Sequence, residues 1–325
     1  MKRTLGRSGV EVSAMGMGCW AIGGPFWNGE TPVGWGEVDD EESIRAIHAG
    51  LSLGITLFDT ANVYGAGHSE RVLGRALGAR RGDVVIATKF NGVFNETTRR
   101  VTGSDVSPNG IRTACSESLR RLGTDYIDLY QFHANDHPVA EAGPVRDTLE
   151  ALVKEGKIRA YGWSTDFADR AEFFAAGPKC TAIQLQLNVL DDNPAVVGVC
   201  ERNNLAALNR GPLAMGLLTN TYTRETRPGA NDVRGEKAPA WMRYFKQGKP
   251  DPEWLAKRDA VREILSSRGR TVSQGAIAWL WARSKKTIPI PGFRTVAQIT
   301  ENAGAMQFGP LTRQQVAEID KILGR

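Results

Sequence analysis

Short apolar runs alternate along this chain with longer segments whose apolar positions recur at helical spacing. The runs at 55–59, 84–89, 126–130, 158–163, 182–186, 205–208 and 287–290 read as strands. The glycine-studded M-G-M-G-C-W stretch before them supplies one more. Between and after these runs, 39–53, 69–77, 107–121, 144–155, 166–175, 193–203, 251–268, 271–283, 295–305 and 312–323 read as helices. In the first, Ile44, Ile47, His48 and Leu51 share a face, which places His48 in the core. Pro108 suits the first turn of its helix. Arg3 to Ser13 predicts a short hairpin, with Gly6 to Gly9 as turn material. The polar 91–106 stretch predicts a loop. Residues 212–250 show no clear period, and a loop of that length is usually functional or disordered.

Strands alternating with helices imply a parallel sheet. Eight such units imply a closed barrel. The predicted architecture is therefore α/β: one (β/α)8 TIM barrel domain over 1–325, with an N-terminal β-hairpin and extra C-terminal helices.

Composition narrows the partners. Of the 325 residues, 41% are hydrophobic and 24% charged, ordinary values for a globular chain. The net charge of +5 is modest, and no basic run carries interleaved aromatics, so no nucleic-acid partner is expected. Cys19, Cys115, Cys180 and Cys200 are widely spaced without a C-x-x-C, which suggests neither zinc nor a disulfide framework. Reduced thiols fit a cytosol. The N-terminus has no apolar signal core, and no stretch reaches the ~18 apolar residues of a membrane span. The expectation is a cytoplasmic monomer or small homo-oligomer acting on a small molecule.

The chemistry-bearing residues fall at strand ends. Asp59 closes one apolar run, and Tyr64 follows in the loop D-T-A-N-V-Y-G. Lys89 closes V-V-I-A-T-K, and His133 follows Y-I-D-L-Y-Q-F. In a parallel barrel these ends share one face, where active sites are built. Hydride delivery to a carbonyl leaves charge on oxygen, so a proton must arrive there. A tyrosine can supply it; a nearby lysine lowers its pKa, and a carboxylate holds the lysine charged and oriented. A histidine can hydrogen-bond the carbonyl and orient it. His133 and His137, four apart, invite a metal reading, but the intervening A-N-D is not an H-E-x-x-H helix, so none is assigned. His68 in G-H-S-E suits a turn or a helix N-terminus.

D-T-A-x-x-Y-G, the strand-end lysine and the histidine after L-Y-Q-x-H together resemble the aldo-keto reductases. The branch most similar in wording, through G-x-G-H-S-E and R-G-P-L-A-M-G-L-L-T, holds the bacterial general-stress and inositol-operon reductases. The resemblance implies Asp59, Tyr64, Lys89 and His133 as the catalytic tetrad. It implies NADPH as cofactor, with NADH possible but weaker. Ser164 and Thr165 stand where the family's Ser-Asn pair grips the carboxamide, with threonine replacing asparagine, and Gln184 matches the family's glutamine. The resemblance also implies that Gly18, Cys19, Trp20 and Asp59 contact the cofactor. Arg210 replaces a stacking aromatic, and Gly211, Pro212, Leu213 and Gly216 run along the pyrophosphate. Gly292, Phe293, Arg294, Gln298, Glu301 and Asn302 match the segment that cradles the adenosine 2′-phosphate. Trp20, Trp27, Tyr64, Phe90, His133 and the 212–250 loop are expected around the substrate. Two rival readings stay open: a Schiff-base aldolase using Lys89 as nucleophile, and a redox-sensing subunit that binds NADPH with slow turnover.

Overall fold

The computed structural model describes Met1–Arg325. In chain order, β1 (Lys2–Thr4) and β2 (Glu11–Ser13) form a hairpin, followed by β3 (Met17–Gly18), β4 (Trp27–Asn28), β5 (Thr31–Pro32), α1 (Asp40–Ser52), β6 (Leu57–Asp59), α2 (His68–Leu77) and β7 (Val85–Phe90). Next come β8 (Gly92–Asn95), β9 (Arg100–Ser104), α3 (Pro108–Leu122), β10 (Ile127–Phe132), α4 (Gly143–Lys154), β11 (Ile158–Ser164), α5 (Ala168–Ala175) and β12 (Cys180–Gln186). The chain ends with α6 (Pro194–Arg202), β13 (Ala206–Arg210), β14 (Phe245–Lys246), β15 (Lys249–Pro250), α7 (Pro252–Leu265), α8 (Val272–Arg283), β16 (Thr287–Pro289), α9 (Val296–Phe308) and α10 (Arg313–Leu323).

Eight strands pair in the order β16-β13-β12-β11-β10-β7-β6-β3, all parallel. The two edges meet: the amides of Gly16 and Gly18 donate to Pro289 O and Pro291 O, each at 2.9 Å. That seam needs glycine, because a Cβ on Gly18 would come within 2.7 Å of Ile290 O. The predicted (β/α)8 barrel is thus the observed fold. Its interior holds small and branched side chains, among them Leu57, Ala87, Leu129, Ala160, Ala182, Ala206, Leu208 and Ile288. Leu5 and Val12 of the predicted hairpin join that cluster, so the hairpin plugs the N-terminal end. A larger apolar layer, including Phe58, Tyr130, Trp163, Ile183 and Trp279, lies between the strands and the helices. No helix is long and apolar enough to cross a membrane.

Three local expectations are corrected. The 91–106 segment is an antiparallel ribbon, β8–β9, which β4 and β5 extend into a four-stranded sheet. Most of its positions are exposed or half-buried, so it carries no hydrophobic alternation to signal a strand. The helix expected to start at 166 starts at Ala168, which leaves Asp166 in a loop, where it accepts from Gln186 N and pairs with Arg210. His48 is exposed, its Nε2 at 2.8 Å from Ala76 O, because Ser43, Ala46, Ile47, Gly50 and Leu51 form the buried face of α1. The 212–250 segment, apart from a 3-10 turn at Ala214–Gly216 and the short β14–β15 hairpin at its end, is irregular as expected. It is nonetheless anchored by buried Val233, Met242, Tyr244 and Phe245.

Candidate active site

The C-terminal strand ends open into a cavity of about 1310 Å³. Asp59 and Tyr64 line it, with His133 alongside. Lys89 does not: it is fully buried beneath Tyr64. Its Nζ donates to Asp59 Oδ1 at 2.6 Å, to Thr60 O at 2.7 Å and to Tyr64 Oη at 3.3 Å. The second carboxylate oxygen of Asp59 accepts from Gln131 Nε2 at 3.0 Å and Gln184 Nε2 at 2.7 Å. Three donors, Lys89, Gln131 and Gln184, therefore make four hydrogen bonds to one carboxylate and one phenol, and the buried charges satisfy each other.

Register explains the convergence. Asp59 sits at the end of β6, paired with Ala87 on β7, while Lys89 lies opposite Gln131 on β10. His133 follows β10, its amide donating to Phe90 O at 3.0 Å. The His133 ring meets Tyr64 edge-on with centroids 5.9 Å apart, and Trp20 stacks on Tyr64 at 5.7 Å.

Burial and charge then set the protonation states. Burial raises the Tyr64 pKa above the usual phenol value and outweighs the lowering by Lys89. The expected lowering of the phenol is thus present as one contribution, but the net shift is upward. Burial lowers the Lys89 pKa, yet Asp59 and Tyr64 outweigh it and leave the ammonium raised. His133 is held well below the usual imidazole value by burial first, then by Lys89 and Arg210. The arrangement is a protonated phenol on a charged lysine, beside a neutral imidazole.

The remaining expected residues divide. Gly18, Trp20, Ser164, Gln184, Arg210, Gly211, Pro212, Leu213, Gly216, Gly292, Phe293, Arg294, Gln298, Glu301 and Asn302 all line the same cavity. Gln184 spends its amide nitrogen on Asp59, so only its carbonyl oxygen is left for a ligand. Arg210 pairs with Asp166 and donates to Gln186 Oε1 at 3.2 Å. Arg294 donates to Trp35 O at 3.3 Å and to Glu37 O.

Four residues lie off the cavity wall. Thr165 is buried, its hydroxyl donating to Asn135 O at 2.7 Å, because the short side chain cannot reach past that carbonyl. Cys19 is buried with its thiol 3.6 Å from Met17 O, and burial raises its pKa far above the usual thiol range. Phe90 stacks into the core on Tyr130 and Phe132, at 4.7 and 5.5 Å between centroids, because strand alternation turns it away from the lysine side. Trp27 pairs with Arg100 in the rim sheet, and its neighbours Phe26 and Asn28 face the cavity instead.

Trp241, from the 212–250 loop expected around the substrate, and Trp35, which was not foreseen, flank Trp20 with centroids at 6.1 and 5.3 Å. Other wall residues also went unforeseen. Asn28, Gly92, Val101 and Gly103 come from the rim sheet, and Asn135 and Asp166 from loops. The tryptophan count was a usable signal for the indole cluster; the rim sheet offered none. His137 packs its ring on Phe132 at 5.1 Å, away from His133 on Tyr64, so the pair forms no common site.

These donors fit a nicotinamide dinucleotide. One continuous cavity joins the tetrad, a glycine-rich wall after β13 and an arginine at the start of α9, and it exceeds the ~300–1,000 Å³ of ordinary small-ligand pockets. A Schiff-base nucleophile fits poorly, since Lys89 has no exposed surface for a substrate to reach.

The comparisons agree with the geometry. The model described as "Aldo/keto reductase family" matches residues 14–324. The chain is 31% identical over 307 residues to the aldo-keto reductase YhdN of Bacillus subtilis, covering 91% of this chain and 86% of the relative. It is 31% identical over 323 residues to the NADH-specific methylglyoxal reductase of Escherichia coli, covering 94% of each. The glycerol dehydrogenase AKR11B4 structure from Gluconobacter oxydans superposes with a TM-score of 0.79 at 31% identity, covering 97% of this chain and 93% of that one.

Proposed function

Since the chain belongs to the aldo/keto reductase family, we propose that it reduces small aldehydes or ketones to alcohols with a reduced nicotinamide, Tyr64 giving the proton. The observation that carries this reading is the Lys89 Nζ placed between Asp59 Oδ1 and Tyr64 Oη beneath the cavity floor. When bound, the nicotinamide supplies the hydride. Ser164, the Gln184 carbonyl oxygen and Arg210 are the residues that would hold its ring, and Arg294 the one that would meet a 2′-phosphate.

The chain's own part is proton delivery and orientation. Tyr64 keeps its proton through neutral pH, because burial raises its pKa. As negative charge grows on the substrate oxygen, the phenol transfers its proton, and the ammonium of Lys89 stabilises the phenolate that remains. Asp59 keeps that ammonium charged. The neutral His133 imidazole can donate one hydrogen bond to the carbonyl without competing as an acid. The indole of Trp20 stacks on Tyr64, with Trp35 and Trp241 packed around it, and covers one face of the phenol.

NADPH is the favoured cofactor in this reading, through Arg294, and NADH the weaker one. The test is twofold. Tryptophan fluorescence should quench on adding NADPH, given the indoles beside the cavity. Absorbance at 340 nm should then fall with a panel of small aldehydes, ketones and dicarbonyls, with the alcohol identified as product. Quenching without turnover on any carbonyl would instead support a cofactor-binding regulatory role. No quenching and no turnover would overturn the reading.

A further inference from the structure

One fully buried amide, Gln131, bonds directly to the proton-delivery group without lining the cavity. It stands near the end of β10, paired with Lys89 on β7. Strand alternation turns it into the barrel. Leu57, Ala87, Leu129, Ala160 and Ala182 belong to the apolar interior. Asp59, Lys89, Gln131, Gly162 and Gln184 stand two residues further along the same five strands. A polar layer thus lies directly on an apolar one. Its β11 member, Gly162, brings no side chain, and the amides of Gln131 and Gln184 meet at 3.3 Å.

Hydrogen-bond chemistry fixes the orientations in this layer. Gln131 faces Asp59 Oδ2 at 3.0 Å, and only an amide nitrogen can donate to a carboxylate oxygen. Its own carbonyl oxygen is therefore turned to Gln184, whose nitrogen donates to both acceptors. Lys89 has three partners of unequal length. Asp59 Oδ1 and Thr60 O lie at 2.6 and 2.7 Å, and Tyr64 Oη at 3.3 Å. Without Gln131, Asp59 Oδ2 keeps only Gln184. The charged donor at hand to replace the lost bond is Lys89 itself. Its longest bond, the one to Tyr64, is the first to give way.

We propose that Gln131 is a positioning residue for carbonyl reduction: by occupying Asp59 Oδ2 it keeps the Lys89 ammonium within reach of the Tyr64 hydroxyl. The inference rests on the carbonyl-reduction reading above. Gln131 touches no reacting atom and acts through Asp59. The other titratable or charged groups that act on this layer are Cys19 beside Asp59 and Lys89, and Arg210 and His133 at the cavity.

The experiment compares the wild type, Gln131→Met and Gln131→Glu in steady-state and single-turnover reduction of a carbonyl that the wild type accepts. Rates are followed from about pH 6 to about pH 9, where profiles report essential groups. Tryptophan quenching by NADPH gives cofactor affinity, and thermal melts establish folding. Methionine fills a similar volume and offers no donor. The glutamate variant offers a donor only while its carboxyl is protonated, and burial beside Asp59 raises that carboxyl's pKa while Lys89 opposes the rise. Gln131→Met should lower the single-turnover rate roughly ten- to fiftyfold, a fraction of the general-acid contribution. Carbonyl KM and NADPH affinity should stay within about threefold, and the profile should move to higher pH as the phenol loses its ammonium. Gln131→Glu should outpace the methionine variant at pH 6. Its rate relative to the wild type should fall at least about threefold by pH 9, as the new carboxylate draws Lys89 from Tyr64.

A folded methionine variant with a near wild-type rate would overturn the proposal. So would a lowered rate with an unmoved profile, which loosened packing alone produces. Where that variant does not fold, the glutamate variant decides: a rate ratio to the wild type that stays constant with pH rejects the role. All these outcomes require an active wild type. A wild type that reduces no carbonyl would bring down the carbonyl-reduction reading itself, and the proposal with it.

Discussion

The two ends of the cavity are built on opposite principles. At the catalytic end, Asp59 and Lys89 are buried, and every charged atom there is matched by a donor or acceptor on a barrel strand or its adjoining loop. At the α9 end, Arg294 is only partly covered and is held by backbone carbonyls of a rim segment. A buried ion pair cannot rearrange without stranding a charge. A half-exposed arginine can exchange a carbonyl for a phosphate at small cost. In the proposed reading, the chemistry is thus fixed by the sheet, while the choice of cofactor is left to surface groups that substitution can shift.

The largest expected effect breaks the catalytic end. Tyr64→Phe should lower kcat for carbonyl reduction by roughly 10²–10⁴, the loss expected of general acid catalysis, while the NADPH dissociation constant stays within about twofold. Stopped-flow single turnovers check that chemistry limits the rate. A near wild-type rate under those conditions would remove Tyr64 from its role.

Lys89→Met tests whether the end behaves as one unit. It strands Asp59 and should cost about 3–5 kcal/mol of stability, read by urea unfolding. In the folded fraction the Tyr64 pKa should climb further, because the ammonium that opposes burial is gone. The pH–rate profile then moves to higher pH. An unchanged profile and unchanged stability would make the lysine a bystander.

Arg294→Ala addresses the other end and should do much less. NADPH kcat/KM should drop near the lower part of a roughly 10–150-fold range, since the wild-type arginine must first leave two carbonyls. NADH efficiency should change little. Equal losses with both cofactors would mean the arginine serves the rim segment alone.

The last expected effect is a stability slope. The unfolded His133 takes a proton below its ordinary pKa of 6.5, and the folded one does not. Unfolding is therefore favoured as pH falls below that value, by at most about 1.4 kcal/mol per pH unit. His133→Gln should remove this contribution from the pH dependence of urea unfolding between pH 6.5 and 5.

The strand–helix alternation was legible in the chain, and so was the convergence of Asp59, Tyr64, Lys89 and His133 at one face. Asp59, Lys89 and His133 follow apolar strands, and a parallel barrel brings all strand ends to one face, so position along the sequence determined position in space. The glycine wall from Gly211 to Gly216 and the 292–302 segment were legible for the same reason.

Only the folded structure decided the rest. The rim sheet from β4, β5, β8 and β9 leaves few of its positions buried, and an exposed ribbon needs no alternating pattern. Thr165 and Phe90 stood at motif positions, yet a neighbouring carbonyl and the strand pleat turned them from the cavity. Glu42 reads as an ordinary first-turn acid of α1; its contact with Val296 lies 254 residues along the chain. A motif records which residue stands at a strand end, but a contact between two helix termini depends on how the helices pack, and no local pattern carries that information.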